Sequence, residues 1–303
     1  MPDKFIIKYK YMKLTIEQIE SYRRNGYLLL GNIFNKDEIN LVRQEMLKVI
    51  TEDCPRRILE KNGAIRSFFA PDLTNNLFYR IVRSKRLVVP SAQLVGTDVY
   101  AHQTKINTKH ALVGDWWDWH QDYTFWKLDD GMPEPNVLTA MIYLNDTNEF
   151  NGPMLLIPGS HKDGVLNAEE NARVMPAGDD QWFNKYQAST PYMSALTADL
   201  KYTLKQHTIA KWAEQNGIES AKGPAGSVLF FHGNIFHASS NNLSPWDRYT
   251  FLITYNSINN ILSEIEKQRP EFIANRDFTP IIPLEDDVLS EPTLQFNAAY
   301  SIL

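Results

Sequence analysis

Residues 137–157 read VLTAMIYLNDTNEFNGPMLLI. Two apolar runs, Val137–Leu144 and Met154–Ile157, have the length of strands, and Asn151-Gly152-Pro153 is a turn signal just before the second. The same grammar spreads outward. Leu87–Leu94 and Asp98–Asn107 precede it, and Gly226–Phe231 and Arg248–Tyr255 resume it further on. Short strands at close spacing, divided by Gly, Pro, Asn and Asp, predict a sandwich or barrel rather than a parallel α/β fold.

Other regions read differently. Residues 14–50 are expected to be largely helical. Thr15 and Gln18 have capping-box spacing, and Ile16, Ile19 and Tyr22 follow at helical spacing up to the stop at Asn25-Gly26. Residues 26–31 (GYLLLG) read as a short buried strand. Asn35 then opens a second helix with Ile39, Val42, Met46 and Val49 on one face. Residues 162–216 are polar and mixed, and are read as an insertion or lid on the β core, with a helix at about 199–215 stopped by Asn216-Gly217. Residues 261–303 contain four prolines and are read as an extended wrap. The 303 residues are therefore expected to form one domain, with no internal repeat.

Composition excludes classes without naming a function. A formal charge of -5 argues against nucleic acid as a partner. A single cysteine, Cys54, forbids an intrachain disulfide and any cysteine-built zinc site, and favours a cytoplasmic setting. The N-terminal residues lack the form of a signal peptide, and no run approaches a membrane span.

The sharpest local feature is Trp119-His120-Gln121-Asp122. On a strand, His120 and Asp122 would point the same way and present an imidazole and a carboxylate to one place. That is two thirds of a 2-His-1-carboxylate Fe(II) site, which leaves positions open for a co-substrate and O2. With seven His and 19 Asp in 303 residues, such a pair arises by chance in roughly two chains of five, so it carries little alone. A facial site needs a second histidine from a distant strand, and both His232 and His237 are candidates. Arg248 lies 11 residues beyond His237, a hairpin's length, so the two are expected on neighbouring strands facing one cavity. An arginine's planar fork suits a carboxylate. Gln103, Lys105 and Asn107 alternate along one expected strand, so all three face one side and require partners there. Trp119, Tyr123 and Trp126 flank the pair, and Trp126 in particular is placed to wall a substrate pocket.

The chain resembles the phytanoyl-CoA dioxygenase-like family of Fe(II)/2-oxoglutarate oxygenases. In that pattern a His-x-Asp pair is followed a hundred or more residues later by a distal His, with an Arg 11 residues beyond. Here Asp122, His237 and Arg248 match, which selects His237 over His232. Residues 151–161 (NGPMLLIPGSH) resemble the corresponding segment of the ectoine hydroxylases. Residues 98–107 (DVYAHQTKIN), 119–126 (WHQDYTFW), 217–227 (GIESAKGPAGS), 254–256 (TYN) and 269–277 (RPEFIANRD) are similar to the trans-4-proline hydroxylases.

The resemblance implies a double-stranded β-helix core, a jelly-roll of cupin-like form with flanking helices. It implies Fe(II) held by His120, Asp122 and His237. It implies 2-oxoglutarate held by Arg248, Asn107 and Lys105, and a small amino acid held near Gln103, Trp126, Tyr123 and Trp119. O2 would be consumed, succinate and CO2 released, and a hydroxyl group added, L-proline being the expected substrate and ectoine the alternative. Related halogenases replace the carboxylate with a small residue, so Asp122 favours hydroxylation. His102, His110, His161 and His207 are assigned no catalytic role. The intact set argues against a β-sandwich binding module with a dead metal site.

Overall fold

A computed structural model describes residues 13–60, 62–166, 200–285 and residue 289. Its core is two antiparallel sheets facing each other. The strands are β1 (Tyr27–Leu30), β2 (Arg57–Leu59), β3 (Ile65–Phe69), β4 (Val99–Lys109), β5 (Trp117–His120), β6 (Val137–Tyr143), β7 (Met154–Leu156), β8 (Glu219–Ala221), β9 (Val228–His232), β10 (His237–Ser239) and β11 (Arg248–Ser257). The large sheet runs β1-β9-β6-β11-β4-β3-β2 and the small one β5-β10-β7-β8. This is a double-stranded β-helix, the jelly-roll of cupin-like proteins, mainly β with helices outside it.

Alternation along each strand sorts the two faces of the large sheet. Ile106, Leu138, Ala140, Ile142, Phe230, Phe251 and Ile253 face outward and join the main hydrophobic core. Helix α1 (Ile16–Asn25), α2 (Lys36–Val49), α3 (Asn76–Val82) and α4 (Lys85–Val95) feed Tyr22, Ile39, Val42, Met46, Phe78, Ile81, Leu87 and Val88 into the same core. Met141, Leu229, Phe231 and Leu252 face inward, toward the small sheet. Both N-terminal capping boxes form, at Thr15 and at Asn35, and Gly26 ends α1 at φ 81° as its stop signal predicted.

Several expectations need correction. Leu87–Leu94 is not a strand but lies within α4. Its two adjacent valines look strand-like, yet the Ser84 side chain caps the helix at Arg86 N–H, Gly96 closes it, and Pro90 sits inside it. Leu87, Val88 and Ser91 share the buried face, at helical spacing. The helix expected at about 199–215 is shorter, α6 being Gln206–Asn216, with Gly217 at its C-cap. The third correction concerns His120 and Asp122 and follows below. Residues 167–199 of the expected insertion, and 286–288 and 290–303 of the expected wrap, lie outside the described residues. Among the described residues no helix is long and apolar enough to cross a membrane.

Candidate metal centre and its cavity

His120 is the last residue of β5, and Asp122 is the first residue of helix α5 (Asp122–Asp130). They converge across a strand-to-helix junction and not by alternation along a strand. Gln121 pins that junction. Its Nε2 donates to Gly164 O and Asn234 O, both at 2.8 Å, and its Oε1 accepts from Leu166 N–H. His237, the first residue of β10, pairs directly with His120 across the small sheet.

His120 Nε2 lies 3.5 Å from Asp122 Oδ1, and His237 Nε2 lies 3.7 Å from Asp122 Oδ2. One donor atom from each residue falls within 4.8 Å of the others. Both Nδ1 atoms are engaged elsewhere, His120 with Asp118 O at 2.6 Å and His237 with Ile235 O at 3.0 Å. A carbonyl can only accept, so each ring carries its proton on Nδ1 and turns a lone pair on Nε2 toward Asp122. Burial and the neighbouring His120 push His237 down to about 4, which keeps it neutral at physiological pH. Burial alone would raise the Asp122 carboxyl. The nearby Lys105 ammonium acts the other way and favours the ionised carboxylate. Two imidazole nitrogen donors and one carboxylate, buried together, fit Fe(II).

A cavity open to solvent lies between the sheets, with about 800 Å³ of unfilled space counting its mouth. Gln103, Lys105, Asn107 and Arg248 all line it, as do His120, Asp122, His237 and Trp126. His237 and Arg248 are not on neighbouring strands of one sheet. His237 belongs to the small sheet and Arg248 to the large one, so they face each other across the cavity. Arg248 is buried and oriented by the Asn151-Gly152-Pro153 turn. Its Nη2 donates to Gly152 O at 2.5 Å and its Nε to Asn151 O at 3.4 Å. Burial pushes it down to about 10, so it stays cationic.

The β4–β11 register orders the polar side chains in depth. Asn107 lies opposite Thr250, Lys105 opposite Leu252 and Gln103 opposite Thr254. Inward-facing positions along a strand are roughly 7 Å apart, so Lys105 sits about 13 Å from the level of Arg248. Ser67 Oγ donates to Asn107 Oδ1 at 2.8 Å, and Gln103 Nε2 donates to Ile273 O at 2.7 Å. Lys105 has no hydrogen bond or ion pair with another described residue; its ammonium lies 5.8 Å from the Trp117 ring centroid.

Trp119 and Tyr123 do not line the cavity. Trp119 is adjacent to His120 on a strand, so it points to the other side and packs with Ile157, Leu204 and Phe236. On α5 the positions facing the cavity are Asp122, Phe125 and Trp126, three and four residues apart. Tyr123 falls off that stripe and donates to Met132 O. Sequence reasoning had also passed over Arg269 and Phe125, both of which line the cavity. The only sequence signal for Arg269 was its position at the head of residues 269–277.

The family model described as Phytanoyl-CoA dioxygenase (PhyH) matches residues 22–250, a span containing all three candidate ligands and Arg248. An ectoine dioxygenase from Bordetella bronchiseptica is 33% identical over 287 residues, covering 92% of this chain and 88% of the relative. An L-proline trans-4-hydroxylase from Streptomyces griseoviridis is 34% identical over 269 residues, covering 88% of this chain and 95% of the relative. In three dimensions, the crystal structure of EctD from S. alaskensis with 2-oxoglutarate and 5-hydroxyectoine superposes with a TM-score of 0.75 at 24% identity, over 92% of this chain and 90% of that one.

Proposed function

The chain belongs to the phytanoyl-CoA dioxygenase family, as a non-haem Fe(II)/2-oxoglutarate-dependent dioxygenase, and we propose that it hydroxylates a small free amino acid, L-proline in the first place. Iron, 2-oxoglutarate and O2 supply the oxidising chemistry, with succinate and CO2 as by-products; the chain decides which C–H bond is within reach. His120, Asp122 and His237 would hold the metal. Arg248 would take the far carboxylate of 2-oxoglutarate, with Asn107 and Lys105 further along the same face of the β4–β11 ladder.

The observation that carries the substrate reading is the make-up of the cavity wall away from Arg248. There Arg269 and Gln103 stand beside the flat wall of Trp126, with Phe125 and Leu200 adding apolar surface. A zwitterion needs a donor for its carboxylate and an acceptor for its ammonium. Arg269 is the donor. Gln103, whose Nε2 is spent on Ile273 O, keeps Oε1 as the acceptor. The apolar walls suit a pyrrolidine ring and exclude water. On this reading the chain forms one catalytic domain.

Ectoine is the second reading, favoured by the 33% identity to the Bordetella bronchiseptica ectoine dioxygenase over 92% of this chain. It too carries a carboxylate on a small ring. The deciding experiment incubates purified protein with Fe(II), 2-oxoglutarate, O2 and a panel of L-proline, pipecolate and ectoine, read by mass. Gain of one oxygen on L-proline with matching succinate supports the first reading, and gain on ectoine alone supports the second. If no compound gains oxygen, both fail.

A further inference from the structure

Beside the cavity lies a buried polar chain of which the reaction as described uses only Arg269. Arg269 donates through Nε to Asp130 Oδ1 at 2.6 Å and through Nη2 to Asp130 Oδ2 at 2.5 Å. The same carboxylate meets His102 Nε2 at 3.1 Å. His102 and Asp130 are fully buried and Arg269 nearly so. The His102 ring stands edge-on to Trp126, centroids 5.8 Å apart at 79°. A bidentate pair consumes Nε and Nη2 and holds the guanidinium plane in one orientation, leaving Nη1 for the cavity that Arg269 lines.

Asp130 is an unusual place for a carboxylate. It is the last residue of α5, where the helix carbonyls already present partial negative charge. The helix gains nothing from an acid there, so the explanation lies in what the acid holds. The same helix begins with Asp122. Asp122, Trp126 and Asp130 are four residues apart and lie along one side of the helix, with roughly 12 Å of axis between the two carboxylates. One rigid element therefore carries a candidate metal ligand at one end and the anchor of the substrate-facing cation at the other. Gly131 (φ 78°) closes it tightly against Ser263 O, so its C-terminal end is held in place.

We propose that Asp130 is a positioning residue, which with His102 fixes Arg269 and Trp126 at a set distance from the metal ligands and so determines where the substrate ring lies. This rests on the reading of Arg269 as the substrate's carboxylate donor. A carboxylate held at a fixed distance from the reacting centre presents the same ring carbon each time. A cation free to swing would bind the same compound but present it variably.

The test uses the Fe(II)-loaded enzyme with L-proline and ectoine as probes. It measures KM for the probe, KM for 2-oxoglutarate, and molecules of 2-oxoglutarate consumed per molecule hydroxylated. Asp130→Asn should raise the probe KM at least tenfold, leave the 2-oxoglutarate KM within twofold, and raise the consumption ratio from near one to several. Arg269→Gln should raise the probe KM comparably, and adding Asp130→Asn to it should raise it no further, because the two act as a unit. Multiplying effects, or equal changes in both KM values, would overturn the proposal. If Arg269→Gln leaves the probe KM unchanged, or wild type binds neither probe in anaerobic calorimetry, the substrate reading itself has failed, and this inference with it. Should Asp130→Asn not fold, His102→Asn alone and with Arg269→Gln takes its place. A threefold or larger rise in probe KM for the single variant, absent in the Arg269→Gln background, supports positioning, and no rise refutes it.

Discussion

Gly152→Ala separates a structural role for the Asn151-Gly152-Pro153 turn from a role in holding the co-substrate. Gly152 has φ 77°, a conformation that costs a residue with a Cβ about 1–2 kcal/mol. A Cβ there would lie 2.6 Å from Ser240 O and 2.7 Å from Lys109 Cδ. Reaching an ordinary contact of 3.4 Å from the carbonyl requires a movement of about 0.8 Å, the difference between the two distances. Gly152 O accepts the 2.5 Å hydrogen bond from Arg248 Nη2, so the displacement falls on the arginine proposed to hold 2-oxoglutarate. A hydrogen bond to a charged group contributes about 1.5–3 kcal/mol, so its loss corresponds to a rise of roughly ten- to a hundredfold in the KM for 2-oxoglutarate. Gly63→Ala is the control. Gly63 has φ 83° but nothing within 4 Å of a Cβ, so it carries the backbone strain without the displacement. Both variants should lose stability in a thermal melt, Gly152→Ala by ~1–3 kcal/mol more because of the crowding. Only Gly152→Ala should shift the KM for 2-oxoglutarate, assayed by succinate release, with kcat largely recovered at saturation. Equal melting losses together with wild-type KM values in both variants would refute the reasoning.

Replacing either His237 or Asp122 by Ala should abolish stoichiometric Fe(II) in metal analysis, and with it the upward shift of Tm that Fe(II) gives the wild type, while far-ultraviolet circular dichroism stays unchanged; a variant that still loads one iron would refute the ligand set. His232 is pushed down to about 4 by burial and by the nearby His161, so the fold favours its neutral form. Its stabilising contribution, ~2 kcal/mol after discounting partial exposure, is therefore complete above about pH 6.5 and lost progressively as pH falls toward 4. His232→Asn, which keeps an acceptor for the Asn234 N–H, should flatten that loss in urea melts at pH 7 and pH 5; an unchanged slope would count against it. Tyr123→Phe removes the hydrogen bond to Met132 O at about 1 kcal/mol of stability and should leave the KM for substrate untouched, whereas Trp126→Ala should raise that KM several-fold. Equal effects on KM would mean that α5 presents a different face.

The β core was readable because its signals are local. Strand alternation placed Gln103, Lys105 and Asn107 on one inward face, and a capping box at Thr15, a cap at Asn35 and a glycine stop marked the N-terminal helices. Each depends on residues a few positions apart, where side-chain period and backbone hydrogen bonding are governed by neighbours in the chain. Val88-Val89 misled for the same reason: the local preference was extended, and burial of α4 against the large sheet overrode it.

By itself the sequence determined which residue types could meet a metal, and the resemblance it carried selected His237 over His232. Tertiary structure decided how they meet. Asp122 joins His120 through a junction pinned by Gln121, whose partners Gly164 and Asn234 are 43 and 113 residues away. Arg248 faces His237 from the opposite sheet. The Asp130–Arg269 pair spans 139 residues. A contact made by sheet pairing or by docking of a distant segment leaves no periodicity in the chain, because the two partners share no backbone. Only folding brings His237, Arg248 and Arg269 to one cavity.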